Sequence, residues 1–227
     1  MEIIDNALKR GQTTLSEHES KSILSSYGIP VTREMLVEHT DDVLRVANEI
    51  GYPVVMKGCA PEITHKTERD LIRTDIRNDA EAMDAFQGII AGMNGDKGAV
   101  LIQEMIKGKR ELVVGLIRDP QFGPCVMFGL GGIFTEILKD VSFRLAPLEK
   151  RDALEMMGEI KAHKILDAVR GMEPVDRDIF SEMLINVGKI GTDNDSVKEI
   201  DINPVIISDS RPVAVDALIV LQTKLSP

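Results

Sequence analysis

The order of the predicted helices and strands limits the fold of this chain more than any other sequence feature. In some segments apolar residues recur at helical spacing, and in others they alternate with polar residues or form short β-branched runs. These patterns predict helices over 16–27, 41–50, 79–90, 149–170 and 176–190, and strands over 54–57, 71–76, 100–106, 111–118, 124–128, 198–207 and 212–220. A further extended segment is predicted to begin at Ile29, between the first two helices. Tight turns join the strands of the last two pairs, which makes them antiparallel hairpins. We therefore predict a mixed α/β (α+β) protein.

The chain length is compatible with one large domain or two small lobes. Its 227 residues are 43% hydrophobic, which is enough for a substantial core. No repeat, low-complexity tract or Ser/Pro-rich linker interrupts the pattern, so the segment Met105–Gly108 is predicted to be a hinge within one domain. We expect an N-terminal lobe over 1–106, which includes a leading helix, and a C-terminal lobe over 107–227.

The charge balance excludes one class of partner. The formal net charge is -10 and the isoelectric point is about 5.0, whereas binding to a phosphate backbone requires clustered Lys and Arg. We therefore expect no nucleic-acid partner. The first residues lack a basic segment followed by an apolar one, and no stretch reaches the ~18 apolar residues of a membrane span. A cytoplasmic protein without a membrane partner is expected.

A predicted strand and the loop that follows it each contain a candidate for phosphate chemistry. Lys57 ends a β-branched strand of the kind that is buried, and such a strand can deliver a cation to nucleotide phosphates. His65 lies in a polar loop, where a neutral imidazole nitrogen is a competent nucleophile toward a phosphoryl group. A lysine at a strand end or a lone loop histidine is more commonly a solvated surface residue, so neither residue defines a site by itself.

The predicted hinge is flanked by further candidates for nucleotide binding. Carboxylates at Glu104 and Glu111 can accept hydrogen bonds from an adenine amine or ribose hydroxyls, while the backbone near Ile106 can pair with a base edge. Gly131 and Gly132 belong to a run with three glycines in four positions, which allows backbone N–H groups to approach an anion. Solvated strand ends and an ordinary glycine turn are the alternative interpretations.

An acidic strand near the C-terminus predicts a cation site. Strand alternation places Glu199, Asp201 and Asn203 on one face, and the following hairpin can bring Asp216 opposite them. Oxygen ligands without a thiolate or imidazole among them suit Mg²⁺ that is held together with substrate phosphates. Without a cation, the crowded negative charges would repel each other.

Together these features resemble the β subunit, or β-type domain, of the ADP-forming acetyl-CoA (acyl-CoA) synthetases. These enzymes are relatives of succinyl-CoA synthetase and have an ATP-grasp fold, in which two lobes bind the nucleotide between them. The resemblance extends from about Leu15 to Leu221. Its most specific stretches are Ala60–Thr67, Asp119–Pro124, Gly129–Glu136, Lys139–Arg144 and Glu199–Pro204.

The resemblance implies a role for each matched residue. It assigns Lys57 to the nucleotide phosphates, Glu104 and the Ile106 backbone to adenine, Glu111 to ribose, and Asn203, Asp216 and Asp201 to Mg²⁺. The turn with Gly131 and Gly132 can add to charge neutralisation at the phosphates. In that family acyl-CoA and phosphate give an acyl phosphate, a histidine of the α part takes the phosphoryl group, and a loop histidine matching His65 relays it to ADP. The implied protein is an acid–thiol ligase that uses ATP or ADP and needs a separate α subunit in a heterotetramer.

Two other functions stay open at this level. An ATP-grasp carboxylate–amine ligase would share Lys57 and the magnesium strand but would need no loop histidine. A regulatory or inactive nucleotide-binding subunit is favoured by one departure from the family. The relatives follow the His-Lys-Thr stretch with an acidic residue, an apolar residue and a glycine pair, whereas this chain has Glu68-Arg69-Asp70-Leu71. Either Arg69 replaces the lost backbone donors with charge, or turnover is reduced.

Overall fold

The computed structural model describes residues 1–61, 69–94, 98–132, 140–169 and 171–222. Among them the helices are α1 (Glu2–Lys9), α2 (Glu17–Ser26), α3 (Val43–Ile50), α4 (Asp79–Gly92), α5 (Lys150–Glu159) and α6 (Arg177–Asp193), with short 3-10 helices at Thr40–Asp42 and His163–Leu166. The strands are β1 (Glu34–Val37), β2 (Val54–Cys59), β3 (Ile72–Ile76), β4 (Ala99–Glu104), β5 (Glu111–Asp119), β6 (Gly123–Leu130), β7 (Val141–Leu145), β8 (Val197–Ser208), β9 (Arg211–Ala214) and β10 (Ala217–Leu221). Within these ranges no helix combines the length and apolar character needed to cross a bilayer.

The chain forms two compact units whose division differs from the predicted lobes. Unit 1 comprises Met1–Leu15, Glu19–Val31 and Ile106–Pro227, and unit 2 comprises Ser16–His18 and Thr32–Met105. We expected residues 1–31 to belong to the N-terminal lobe, but most of them are part of unit 1. The reason is hydrophobic burial, because α1 and α2 contribute apolar side chains to the core of unit 1.

Unit 2 is a four-stranded antiparallel sheet with helices on one face. The strand order is β1-β4-β2-β3, so β2 lies between two partners. Val54 and Met56 of β2 belong to a buried core with Val46 of α3 and Phe86 of α4. Because successive side chains of a strand point to opposite faces, Lys57 lies on the face of the sheet away from this core.

Unit 1 is built on a six-stranded antiparallel sheet. Its order is β10-β8-β5-β6-β7, and β9 also pairs with β8. Ile200 and Ile202 of β8 point into an apolar core that includes Phe128 of β6 and Phe180 of α6. The two phenylalanine rings meet edge to face, with centroids 5.2 Å apart and an interplanar angle of 78°. The polar residues between the isoleucines therefore lie on the opposite face of β8.

Helix α5 is shorter than the predicted helix over 149–170. It ends at Glu159, and Ile160 has an extended backbone conformation with φ −66° and ψ 141°. The buried carboxylate of Asp140 accepts hydrogen bonds from the next two backbone N–H groups, each at 2.7 Å. Since these N–H groups bind a side chain, they do not continue the helical ladder, and the chain leaves the helix at this point.

The predicted strand over 212–220 is two strands, β9 and β10, separated by Val215 and Asp216. Pro204 lies opposite this break and has no N–H to donate to a regular ladder. The Val215 N–H still donates to the Pro204 carbonyl at 3.1 Å. The buried ammonium of Lys21 donates to the Val215 carbonyl at 3.1 Å, which fixes the connection between the two strands.

Strand β7 was not predicted, and β1 begins at Glu34, within the extended segment that was predicted to start at Ile29. Both are short, and both lie at an edge of their sheet, where a strand pairs on one side. Their residues are only partly buried, so neither shows the continuous apolar run or clean alternation of a strand packed on a core. The core strands, by contrast, follow the predicted pattern closely.

We predict that Phe180→Ala lowers the free energy of unfolding by about 3–5 kcal/mol, because it leaves a cavity against Phe128 in the unit 1 core. Phe122→Ala is the matched control, since that ring is 63% exposed and its loss is expected to cost less than about 0.5 kcal/mol. Chemical denaturation followed by circular dichroism measures both changes. Equal effects of the two substitutions would contradict the described core.

Candidate functional site

Lys57 is a buried cation in the structure rather than a solvated strand end. Its ammonium donates to Glu17 Oε1 at 2.7 Å, and the two side chains are 5% and 3% exposed. Both residues belong to unit 2. A buried charge is retained only when a counter-charge and hydrogen bonds offset its desolvation, and Glu17 supplies such a partner.

Glu104 is engaged by a neighbour in the structure. Its Oε1 accepts from the Arg33 backbone N–H at 2.8 Å, and its Oε2 accepts from Arg33 Nε at 3.1 Å. A carboxylate has about four acceptor positions, so the contact with Arg33 is compatible with a further donor such as an adenine amine. Ile106 is half-buried in the segment that follows β4, and it belongs to unit 1.

The structure brings Glu111 together with the predicted glycine turn. The Gly131 N–H donates to the Glu111 carbonyl at 2.9 Å, so this N–H is used within the sheet. A Cβ on Gly131 would come within 2.8 Å of the β5 backbone, and one on Gly132 would lie 2.9 Å from Glu111 Oε2. Gly132 also has φ +69°, a conformation that favours glycine. Close packing against β5 thus explains why glycine occupies both positions, whether or not they also bind an anion.

Two of the candidate magnesium ligands share one face of β8, and the third lies in the neighbouring hairpin. Asp201 and Asn203 alternate with the buried isoleucines of β8, and Asp216 lies in the break between β9 and β10. The Asn203 N–H donates to the Asp216 carbonyl at 3.2 Å, so these two residues are adjacent across the hairpin. The structure therefore assembles all three predicted ligands in unit 1.

The electrostatics of this cluster are those of crowded carboxylates. Burial, followed by the negative charges of Glu199 and Asp216, raises the pKa of Asp201 from its ordinary value of 3.8 to about 6. A divalent cation at this position would offset both the desolvation and the repulsion. The oxygen donors of Asn203, Asp216 and Asp201 consequently fit Mg²⁺ better than a softer metal.

The described residues contain no cluster of three or more His, Cys, Asp or Glu side chains with the geometry to enclose a metal. Proteins hold Mg²⁺ through one or two carboxylates together with substrate phosphates and water. Asn203 supplies a neutral oxygen to the set. The donor set in this part of the chain thus fits a metal that arrives with a phosphorylated substrate.

His65 lies outside the described residues, so its predicted role stays a prediction. The two residues that replace the expected glycine pair are described. Asp70 has φ 55°, and Arg73 binds its two carboxylate oxygens at 2.8 Å each. Leu71 is fully buried in the unit 2 core, and Arg69 donates to the Met93 carbonyl at 3.4 Å. These positions are accommodated by local packing and hydrogen bonds.

The sequence analysis did not identify several buried polar residues, among them Glu17, Lys21 and Arg110. Glu17 and Lys21 lie one turn apart on α2. Arg110 is buried and donates to the carbonyls of Ile165, Asp167 and Glu173, and burial lowers its pKa. The polar residues within the amphipathic pattern of α2 were the only sequence signal of these buried charges. Their partners could not be predicted, because they are distant in sequence.

We predict that Asp201→Asn alters how the stability of the metal-free chain depends on pH. The folded state binds the Asp201 proton more tightly than the unfolded state, so the stability that this group contributes is lost as the pH rises from about 4 to about 6. Above pH 7 the variant should be more stable than the wild type by roughly 2–3 kcal/mol, and the gap should close near pH 4.

Chemical denaturation at pH 4, 5, 6 and 8 without Mg²⁺ tests this expectation. Asp209→Asn is the control, because that exposed carboxylate in the β8–β9 turn is outside the cluster. A constant difference between the wild type and Asp201→Asn over the whole range would contradict the described electrostatics.

Comparison with known proteins agrees with this arrangement. A family model described as an ATP-grasp domain matches residues 6–221. The β subunit of acetate–CoA ligase [ADP-forming] I from Pyrococcus furiosus is 46% identical over 225 residues, which cover 97% of each chain. Acetate–CoA ligase [ADP-forming] I from Archaeoglobus fulgidus is 40% identical over 97% of this chain, which corresponds to 33% of that protein.

Solved structures give the same result. A chain of acetyl-coenzyme A synthetase 1 from Candidatus Korarchaeum cryptofilum, in complex with coenzyme A and Ca-AMPCP, matches with a TM-score of 0.93 and 42% identity, and covers 97% of this chain and 99% of that chain. A second structure of that enzyme, with Mg-AMPPCP and its phosphohistidine segment pointing towards the nucleotide-binding site, has a TM-score of 0.87, with the same identity and coverage. The chain therefore belongs to the ATP-grasp family, within the group of β subunits of ADP-forming acetate–CoA ligases.

Proposed function

We propose that this protein is the nucleotide-binding β subunit of an ADP-forming acyl-CoA synthetase. With an α subunit it catalyses the conversion of acyl-CoA, ADP and phosphate to a carboxylic acid, CoA and ATP. The observation that carries the proposal is the end-to-end similarity to the Pyrococcus furiosus β subunit, which covers 97% of both chains. The described residues supply a buried lysine and a cluster of oxygen donors that suit such a reaction.

Nucleotide binding rests on positioning and on charge neutralisation, which are the main demands of phosphoryl transfer. Lys57 carries the positive charge for the phosphates, and Glu104, the Ile106 backbone and Glu111 serve the adenine and ribose. Asn203, Asp216 and Asp201 hold Mg²⁺, which neutralises phosphate charge when it is bound. The raised pKa of Asp201 supports this assignment, because a cation would relieve the repulsion that causes part of the shift.

The catalytic residue of this subunit is His65. The proposal rests on its position in the stretch Ala60–Thr67, which resembles the phosphohistidine loop of the β part in this family. An imidazole nitrogen of His65 accepts the phosphoryl group from a histidine of the α subunit. The phosphorus–nitrogen bond then breaks as a terminal oxygen of ADP bonds to phosphorus, which regenerates the histidine and gives ATP.

The CoA-binding and acyl-transfer parts are proposed to come from a separate α subunit, in a heterotetramer. The matching region accounts for 33% of the Archaeoglobus fulgidus relative, and the Pyrococcus furiosus relative is named as a β subunit. The name of the Pyrococcus furiosus relative supports a separate α subunit, whereas in the Archaeoglobus fulgidus relative the matching region is part of one longer polypeptide.

The alternative of an inactive or regulatory subunit depended on the missing glycine pair. Asp70 adopts the positive φ that a glycine would readily take, and Arg73 holds its carboxylate. Leu71 fills the unit 2 core. Since these two side chains have structural explanations, the departure from the family pattern no longer favours loss of activity. A carboxylate–amine ligase is disfavoured by the similarity to acetate–CoA ligases over the whole chain.

We predict that Mg²⁺ and ADP together stabilise this chain and that Lys57→Gln abolishes the effect. A ligand at about 100 times its Kd adds about 2.7 kcal/mol to the free energy of unfolding. A thermal unfolding scan with and without the two ligands should therefore show a rise of several degrees. Glutamine retains a hydrogen-bond donor for Glu17 but carries no charge, and Lys9→Gln on the exposed end of α1 is the control. An undiminished rise in Lys57→Gln would contradict the role of this lysine.

We further predict that His65→Ala stops ATP formation from acetyl-CoA, phosphate and ADP in the complex with the α subunit, because the relay loses its nucleophile. ADP and Mg²⁺ should stabilise this variant as they do the wild type. His39→Ala, at an exposed position, is expected to leave the rate unchanged. ATP formation by His65→Ala at the wild-type rate would disprove the relay.

A further inference from the structure

Lys57 is buried in the unit 2 sheet and forms an ion pair there. The residue lies on β2 in the interior of the unit 2 sheet, paired with Leu101 of β4 and Ile72 of β3. Its side chain is 5% exposed, so water solvates the ammonium very little. Burial of an ammonium is costly unless a counter-charge offsets the lost hydration. The carboxylate of Glu17, also nearly inaccessible to water, provides that counter-charge at 2.7 Å.

Stability alone does not explain this pair. A buried ion pair gains little over two apolar side chains of similar volume, because desolvation of both charges consumes most of the Coulomb attraction. Glu17 and Lys57 are separated by 40 positions, so local helix or strand formation does not require the contact. What the pair does provide is a fixed, charged ammonium at one place on the sheet face away from the core.

We infer that Glu17 is a positioning residue for nucleotide binding, which acts by holding the Lys57 ammonium in place for the nucleotide phosphates. The inference rests on the proposed function, since it takes Lys57 as the residue that contacts the phosphates. An ammonium has three N–H donors, so a bond to Glu17 is compatible with bonds to phosphate oxygens. Replacement of Glu17 with glutamine removes the negative charge that lies 2.7 Å from the buried ammonium and loosens its position.

The neighbouring residue provides a matched control for a merely structural role. His18 Nδ1 lies 3.0 Å from Glu34 Oε1, and the Glu34 side chain is 7% exposed. This contact joins the same segment, Ser16–His18, to the rest of unit 2 but does not involve Lys57. If Glu17 only anchors the segment, Glu34→Gln should have the same consequences as Glu17→Gln.

Calorimetric titration of the full chain with ADP and with adenosine, both in the presence of Mg²⁺, tests the inference. Glu17→Gln should weaken ADP binding about tenfold or more and leave adenosine binding unchanged, because adenosine has no phosphate. Glu34→Gln should change neither affinity by more than about twofold. In a double-mutant cycle, Glu17→Gln should add no further loss to Lys57→Gln, because both changes remove the same interaction.

Several results would overturn the inference. ADP binding by Glu17→Gln at or above wild-type affinity, equal losses in Glu17→Gln and Glu34→Gln, or additive losses in the double variant would each do so. If Glu17→Gln does not fold, Glu17→Asp provides the test. This variant keeps the negative charge but places it one methylene farther from Lys57. We expect a folded Glu17→Asp variant with severalfold weaker ADP binding, and unchanged binding would contradict the proposal.

The failure of this inference is distinguishable from the failure of the proposed function. Loss of ADP affinity in Lys57→Gln but not in either Glu17 variant would disprove only the proposed role of Glu17. Wild-type ADP affinity in Lys57→Gln would disprove the proposed role of Lys57 and, with it, that of Glu17.

Discussion

The candidate magnesium site depends on strand β8, which has one buried apolar face and one polar face. Its isoleucines are buried in the core of unit 1, and this burial fixes the register of the strand, because a shift of one residue would exchange the two faces. Asp201 and Asn203 are consequently held on the other face. Hydrophobic packing on one side of the sheet thus determines where negative charge accumulates on the other, and Pro204 with the following break brings Asp216 beside it.

Buried polar side chains add specific contacts to the apolar packing of each unit. Lys57 is held by Glu17, Lys21 by the Val215 carbonyl, and Arg110 by three carbonyls of the segment after α5. Each of these cations connects a regular element to a distant segment, and each is desolvated, so its partner is required rather than optional. In unit 2 the buried cation is Lys57, the lysine assigned to the phosphates. In unit 1 Lys21 binds the connection between β9 and β10 that carries Asp216.

Most of the regular elements were predictable, and the errors have identifiable physical causes. The core strands and helices α2, α3, α4 and α6 follow local apolar periodicity, which burial on one face imposes. The helix over 149–170 was predicted too long because Asp140, a residue outside it, captures the N–H groups that would extend it. The last strand was predicted as continuous, although Pro204 opposite it lacks a donor. Edge strands β1 and β7 are only partly buried and therefore gave a weak pattern.

The sequence by itself determined the alternation that places Asp201 and Asn203 together, the strand that ends near Lys57, and the motifs that identify the ATP-grasp family, because these depend on residues close in the chain. Only the tertiary structure decided that Glu17 pairs with Lys57, that Arg33 binds Glu104, and that residues 1–15 pack in unit 1. Such partners are many positions apart, and their contact depends on how complete elements pack. Local periodicity therefore does not indicate which residue a buried charged side chain will contact.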